Sequence, residues 1–183
     1  MKFVLLLLAF VSFVMAQNTP EPFGLKLGVS TKEETLQVIK KEDGRVVDSG
    51  YRIIKGSIVN PKVEGIEVEG LPVDDLESAT FWFFDGKLFK IDYTFPLSME
   101  MDEFYVLYEQ LQSKYGKPKR FVRPYLADGF AEWNFGNITL RLIAPWAFGN
   151  MYLIYEHVPL SKRADQSDQE VFKKETSKPK RGL

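Results

Sequence analysis

The sequence predicts an α+β fold in which an antiparallel sheet packs against helices on one face. Two short turns, Asp85-Gly86 and Gly136-Asn137, each separate a pair of apolar, β-rich segments. Turns of this kind are typical of β-hairpins. A long stretch with helical apolar spacing lies between the two hairpins, and a shorter one precedes the first. Hairpins that alternate with helices favour an antiparallel sheet over a parallel one.

The first helix is predicted to begin at Ser30, because Ser30 and Glu33 have the spacing of a capping box. Leu36 and Ile39 would share its buried face, and Gly44 would end it. From residue 45 to 60, β-branched and polar residues alternate around two glycines. This pattern predicts two short strands.

The first hairpin is predicted over residues 79–95, around the Asp85-Gly86 turn. Counting outward from the turn places Phe84 opposite Lys87 and Trp82 opposite Phe89. Trp82, Phe89 and Ile91 would then lie on the same face of the sheet. Residues on both faces are apolar near the turn, which predicts that both sides are covered there.

The longest amphipathic helix is predicted to follow Ser98 as its N-cap and to end at Gly116. Its apolar residues recur at helical spacing: Phe104, Leu107, Tyr108, Leu111 and Tyr115.

The second hairpin is predicted over residues 130–144, around the Gly136-Asn137 turn. The same counting pairs Trp133 with Leu140 on the inner face and Glu132 with Arg141 on the outer face. A last strand over residues 151–157 is expected to pair beside this hairpin.

The N-terminus predicts export. Lys2 precedes an apolar run of about 14 residues that ends in Ala16, which is shorter than the ~20 residues of a membrane-spanning helix. Residues 1–16 therefore have the form of a secretory signal peptide. We expect a periplasmic or extracellular protein without a membrane span.

The exported chain is predicted to form one α+β domain over residues 17–160, with possible sub-units at 23–96 and 97–160. Apolar residues become rare from residue 161, where seven basic and four acidic side chains accumulate up to residue 183. This composition predicts a disordered tail or a loosely held helix. At most, the basic tail would make weak contact with an anionic surface.

The composition excludes several kinds of chemistry. The chain has no cysteine, which rules out disulfides, thiolate metal sites, cysteine nucleophiles and lipid attachment to a cysteine. A net charge of −1 gives no argument for nucleic acid binding. We predict no catalytic residue, no cofactor and no metal site.

Two polar features are predicted to be structural. His157 is the only histidine, and it lies at the end of a predicted strand, where a packing role is common. Six carboxylates fall between residues 64 and 77, without the spacing of a calcium loop. A solvated strand face and a helix start account for these six side chains: Glu64, Glu67, Glu69, Asp74, Asp75 and Glu77.

The candidate binding residues are Trp146 and Phe148, in the loop that follows the second hairpin. Exposed aromatic side chains in loops anchor partner proteins. Tyr125 would join them at the same end of the sheet if the strand order is sequential. The alternative is that these rings fold over the sheet edge or a helix.

Two segments resemble a known superfamily. Residues 23–30 enter a helix through Gly28-Val29-Ser30, and residues 111–118 leave one through Gly116-Lys117-Pro118. Both resemble the small α+β superfamily that includes the β-lactamase inhibitor protein and the small lipoprotein of the outer-membrane barrel assembly machine. The chain departs from the pattern at Glu34, where an aliphatic residue is expected, after the first helix, which lacks Gly-x-Pro, and in having no lipidation cysteine. The resemblance implies binding of another protein.

The sequence therefore predicts an exported, soluble module that recognises another envelope or extracellular protein without catalysis. One alternative is a carrier of an apolar small molecule, which requires a cavity of several hundred Å³. A second is a hydrolase with paired carboxylates, which requires two acids in one concave site and a raised pKa in one of them.

Overall fold

The computed structural model describes residues 19–146 and 149–178. The predicted signal peptide and Phe148 lie outside the described residues. Three α-helices are described: α1 (Lys32–Lys41), α2 (Asp102–Tyr115) and α3 (Val158–Thr176). The strands are β1 (Arg45–Lys55), β2 (Ile58–Glu69), β3 (Ser78–Phe84), β4 (Lys87–Pro96), β5 (Arg120–Val122), β6 (Gly129–Phe135), β7 (Ile138–Ala144) and β8 (Asn150–His157).

All eight strands form one antiparallel sheet in the order β1-β2-β3-β4-β8-β7-β6-β5. The predicted α+β class with an antiparallel sheet is therefore confirmed. The strand order is mirrored about the β4–β8 pair, because each half of the sheet runs from an edge strand to the centre in sequence order. Each half is also preceded by a helix, α1 before β1–β4 and α2 before β5–β8. The two sets of four strands meet where Tyr93 pairs with Leu153 and Phe95 with Met151.

The main core lies between the sheet and the first two helices. Alternate residues of the central strands point to this side and are almost completely buried, as the strand period requires. Ile39 of α1 and Phe104 and Leu111 of α2 belong to the same core as Phe81 and Trp133 of the sheet. In the range that the structure describes, no helix is long and apolar enough to span a membrane.

The third helix packs on the opposite face of the sheet, so the prediction that all helices share one face is wrong for α3. Ala164 is fully buried against Phe84 and Phe89, in a second and smaller core. Asn60 of β2 donates from Nδ2 to Ser167 Oγ at 3.0 Å and to Asp168 Oδ1 at 2.7 Å. The helix is thus attached to the sheet by both apolar and polar contacts.

Two alternatives were predicted for the segment from residue 161, a disordered tail and a loosely held helix, and its described part forms a helix through Thr176. Few apolar residues occur there, but Ala164 is small enough to let the helix approach the sheet closely. Arg52 and Asn60, which are more than 100 residues away in the sequence, supply further contacts. Local composition does not show such partners.

The two hairpins differ in how well the sequence predicted their register. The second one is confirmed, because Trp133 pairs with Leu140 and Glu132 with Arg141. The final strand pairs beside this hairpin, as predicted. In the first hairpin, Trp82 pairs with Lys90 rather than with Phe89.

Phe89 is the extra residue of a β-bulge in the first hairpin. A bulge shifts the strand by one residue, which exchanges the two faces beyond it. Phe89 therefore packs under α3 with Phe84, whereas Ile91 and Phe81 face the main core. Trp82 and Phe89 therefore share a face as predicted, but the prediction that Ile91 lies on the same face is wrong.

Both predicted helix starts are displaced. The capping box of α1 is formed by Thr31 and Glu34, one residue later than predicted. The second helix begins at Asp102, and Ser98 instead donates from its hydroxyl to Glu103 Oε2 at 2.7 Å. β1 continues through Gly50 as a single strand of 11 residues, where the glycine had suggested a break.

Candidate binding surface

One face of the sheet is open over β6, β7 and β8. In these strands every second residue is buried under α2, and the residues between them are half-exposed on the opposite side. The third helix crosses β2 and touches β8 only near its end. We call the half-exposed residues of these three strands the open face: Phe130, Glu132, Thr139, Arg141, Ile143, Tyr152 and Ile154.

The strand pairing arranges the open face in rows across the strands. Phe130 pairs with Ile143, and Ile143 pairs with Tyr152. These three side chains form an apolar row, because directly paired residues in a sheet lie side by side. The next row contains Glu132, Arg141 and Ile154. The surface thus combines an apolar strip with a charged one.

Two ion pairs lie on and beside this face. Arg141 bonds Glu156, and Glu156 Oε1 also accepts from the Ser161 hydroxyl of α3. On β4, Asp92 Oδ2 accepts from Lys90 Nζ at 2.8 Å. Within the described residues, the buried atoms Asp92 Oδ1 and Arg141 Nε have no hydrogen-bond partner. The charged groups are therefore held in place while some of their bonding capacity is unused.

Two loops with exposed aromatic residues lie at the end of the sheet next to the apolar row. Tyr125 is 77% exposed in the β5–β6 loop, and Trp146 is 47% exposed in the β7–β8 loop. The Trp146 amide donates to Asp128 Oδ1 at 2.9 Å, which joins the two loops. The strand order β5-β6-β7-β8 is sequential. This is the condition under which Tyr125 was predicted to lie at the same end of the sheet as Trp146. Their binding role stays a prediction, and Phe148 lies outside the described residues.

His157 has a structural position. Its Nδ1 accepts from the Leu160 amide at 3.2 Å and caps the start of α3. Burial lowers its pKa below the usual value, and its backbone hydrogen bond offsets this only in part. The ring also lies so close to Gly28 that a Cβ there would be 2.7 Å from it.

The acidic residues between 64 and 77 separate in the structure. Glu64 pairs with Lys32, Glu69 pairs with Arg45, and Glu77 accepts from Asn150. In the part of the chain that the structure describes, no group of three or more histidine or carboxylate side chains could hold a metal ion. Three of these six acids therefore serve as partners of residues on α1, β1 and β8.

Asp74 and Asp75 line a cleft of about 220 Å³ beside α2, together with Asp102 and Glu103. Burial acts to raise the pKa of Glu103, but hydrogen bonds from the Ser98 side chain and backbone outweigh it, and the pKa lies below its usual value. A general acid at neutral pH needs the opposite shift.

A neighbouring cleft of about 300 Å³ lies between α2 and the sheet. Tyr93 and Tyr155 line it, and burial raises the pKa of both phenols, with a smaller contribution from neighbouring tyrosines. Both clefts open to solvent, so neither is an enclosed cavity of the kind that a carrier of apolar ligands needs.

The fold and the surface define the class of protein. It is an α+β domain with a mirrored strand order, in which helices cover one face of the sheet and the other face is partly open. The chain belongs to the TP0088 domain family, whose model matches residues 22–167. The match extends into α3, so the family domain includes the start of this helix. Neither the curated proteins nor the solved structures gave a significant match.

Sequence reasoning missed the apolar row. Its signal was present, because the predicted second hairpin already placed Glu132 and Arg141 on the outer face. Counting two residues along each strand reaches Phe130 and Ile143, and the next strand adds Tyr152. Strand order, which local sequence does not show, is what joins these three residues into one strip.

Proposed function

We propose that this chain is an exported, non-catalytic module that binds another protein of the cell envelope or the extracellular space. One observation carries the proposal: the apolar row of the open face continues into the loops that hold Tyr125 and Trp146. An apolar strip flanked by polar groups is the usual composition of a protein-binding surface. Membership of the TP0088 domain family is compatible with an envelope location.

The partner that fits this surface is a folded protein with a flat apolar patch. Half-exposed side chains on a sheet offer a broad surface without a deep pocket, so shape matching over many contacts must supply the affinity. Tyrosine and tryptophan contribute disproportionately to such interfaces. Tyr152, Tyr125 and Trp146 are therefore the expected anchors.

Two further parts of the proposal concern location. Residues 1–16 would direct export, and the mature protein would act in the periplasm or outside the cell. Exposed lysines at the end of α3, such as Lys173 and Lys174, could add weak attraction to an anionic membrane surface.

The test is site-specific photo-crosslinking in cells that express the full chain. A photoreactive amino acid at position 152 of the open face is compared with one at position 106, which is exposed on α2. The partner crosslinked from position 152 is identified and purified, and its affinity for the chain is measured by calorimetry.

Trp146→Ala and Tyr152→Ala are each expected to weaken that binding by about 10-fold to 100-fold, the range for interface anchors. Val106→Ala is the matched control and should leave the affinity unchanged. Equal crosslinking from both positions, or full affinity in both aromatic variants, would contradict the proposal.

A further inference from the structure

The β1 edge of the sheet is long and exposed. β1 has 11 residues, whereas the opposite edge strand, β5, has three. Tyr51 is 55% exposed and Ile53 is 68% exposed, and Val46 and Val47 are also exposed. A long edge strand with apolar side chains is a template for pairing with another strand, and proteins usually shorten or cover such an edge.

The sequence of β1 is complementary to itself when it is read in opposite directions about Gly50. Antiparallel pairing about this residue places Asp48 opposite Arg52 of a second copy, and Val47 opposite Ile53. Ser49 meets Tyr51 in the same register. Opposite charges and β-branched pairs are the favourable cross-strand combinations. Each combination occurs twice in a symmetric dimer.

The geometry of β1 permits this pairing. Its residues from Asp48 to Ile53 pair consecutively with β2, since the extra residues that interrupt the ladder there belong to β2. A Cβ at Gly50 would have no atom within 4 Å, so the centre of the strand is not crowded. On β1 itself, Val47 and Ile54 are the extra residues of two bulges, so the ladder is regular on both sides of the proposed symmetry axis from Asp48 to Arg52.

Asp48 and Arg52 are also placed so that they could bond between two copies. Arg52 is held by Asp168 at 2.7 Å and by Asp165 at 3.2 Å, and it lies over the Trp82 ring. Asp48 forms no ion pair with any residue that the structure describes, and it accepts only from the Ser49 amide. Both of these bonds use Nη1, so a second copy would bring the other N–H groups of the fixed guanidinium to each unpaired Asp48 carboxylate. Beyond these pairs, Arg45 would face Lys55, which ends the favourable register.

We propose that two copies of this chain associate through their β1 strands, antiparallel about Gly50, into one continuous sheet. The apolar residues Val47, Tyr51 and Ile53 of both copies would meet on one side of the joined sheet. Asp48 and Arg52 would meet on the other side. This site is separate from the open face, so a failure of the proposed partner binding would leave this inference standing.

Cysteine crosslinking tests the register directly, because the chain has no cysteine of its own. In Gly50→Cys, the two introduced thiols lie opposite each other at the symmetry axis, and mild oxidation should convert most of the full-length protein to a covalent dimer. The control is Ser57→Cys, an exposed position in the β1–β2 turn. It lies far from the axis in both copies and should crosslink at least 10-fold less.

Light scattering and sedimentation of the unmodified chain supply the second measurement. We expect a dimer at about 100 μM, and Asp48→Lys should raise its dissociation constant at least 10-fold by placing a lysine opposite Arg52. Ile53→Lys should also raise the dissociation constant at least 10-fold, because it places a lysine opposite Val47. Val29→Lys, at a comparably exposed β-branched residue, should leave it unchanged.

Circular dichroism establishes that each variant is folded. A chain that stays monomeric at 100 μM overturns the inference. So does a dimer that tolerates Asp48→Lys, or equal crosslinking from positions 50 and 57.

Discussion

At the scale of single residues, His157 connects three parts of the molecule. It ends β8, caps α3 through Nδ1 and packs against the Gly28 turn. Nδ1 accepts a hydrogen bond only when it carries no proton. Protonation of this one ring therefore removes a cap and places a charge in a partly buried position.

Stability should consequently depend on pH through His157. Its pKa lies below 6.5 in the folded chain because of burial, and near 6.5 in the unfolded chain. The unfolded chain binds more protons between these two values, so the free energy of unfolding is fully retained above pH 6.5 and falls as the pH drops through the folded pKa. Urea unfolding at pH 7.5, 6.5 and 5.5 measures this effect.

The matched variant is His157→Asn, which keeps a side-chain oxygen suited to a helix N-cap and does not titrate. We expect a smaller loss of stability between pH 7.5 and 5.5 in this variant. An unchanged loss would show that other groups cause the pH dependence.

At the scale of elements, α3 shows how a polar helix can be attached to a sheet. Only Ser161, Ala164 and Ser167 are buried along it, at three-residue spacing. Asn60 donates to Ser167, Ser161 donates to Glu156, and the ion pair between Arg52 and Asp168 lies beside this contact. The contact is narrow, so it depends on each small residue in the row.

A charge at the centre of this contact should release α3. Ala164→Asp places a carboxylate against Phe84 and Phe89, and we expect the free energy of unfolding to fall by about 2–4 kcal/mol. Amide hydrogen exchange should show loss of protection in α3 while β6 and β7 stay protected.

Gln166→Asp is the control, because it introduces the same charge at an exposed position of the same helix. It should change neither stability nor exchange appreciably. Equal effects from the two variants would mean that Ala164 is not the contact that holds α3.

At the scale of the whole molecule, the mirrored sheet makes the two halves interdependent. β4 and β8 meet at its centre, and Tyr93, Phe95, Leu153 and Tyr155 are buried there. In addition, α3 follows the second half in sequence but packs on β2 of the first half. A separated half would expose a central strand and lose this helix contact.

Neither half should therefore fold alone. Fragments 17–97 and 98–178 are expected to show no cooperative urea transition by circular dichroism, whereas the full chain shows one. A cooperative transition in either fragment would show instead that the halves are independent domains.

The sequence predicted most of the elements because their signals are local. The second hairpin follows from a two-residue turn and strict alternation, and its register is correct at Trp133 and Glu132. The predicted register of the first hairpin is wrong beyond Leu88. A bulge at Phe89 shifts it, and a bulge has no clear sequence signal in a segment that is apolar on both faces. The capping boxes at Ser30 and Thr31 overlap, and spacing alone does not choose between them.

The site was predictable only in part. Tyr125 and Trp146 were predicted as aromatic residues in loops, and whether these two loops lie at the same end of the sheet depended on a strand order that the sequence left open. The resemblance to the β-lactamase inhibitor superfamily and its implied binding role stay predictions.

Local spacing in the chain thus decided the α+β class, the second hairpin and the position of the loops, because neighbouring residues alone set turns and strand periods. The tertiary structure decided three other features: the bulge that exchanges faces at Phe89, the attachment of α3 to Asn60, and the apolar row of the open face. Each depends on residues that are distant in sequence and adjacent only after the sheet has formed.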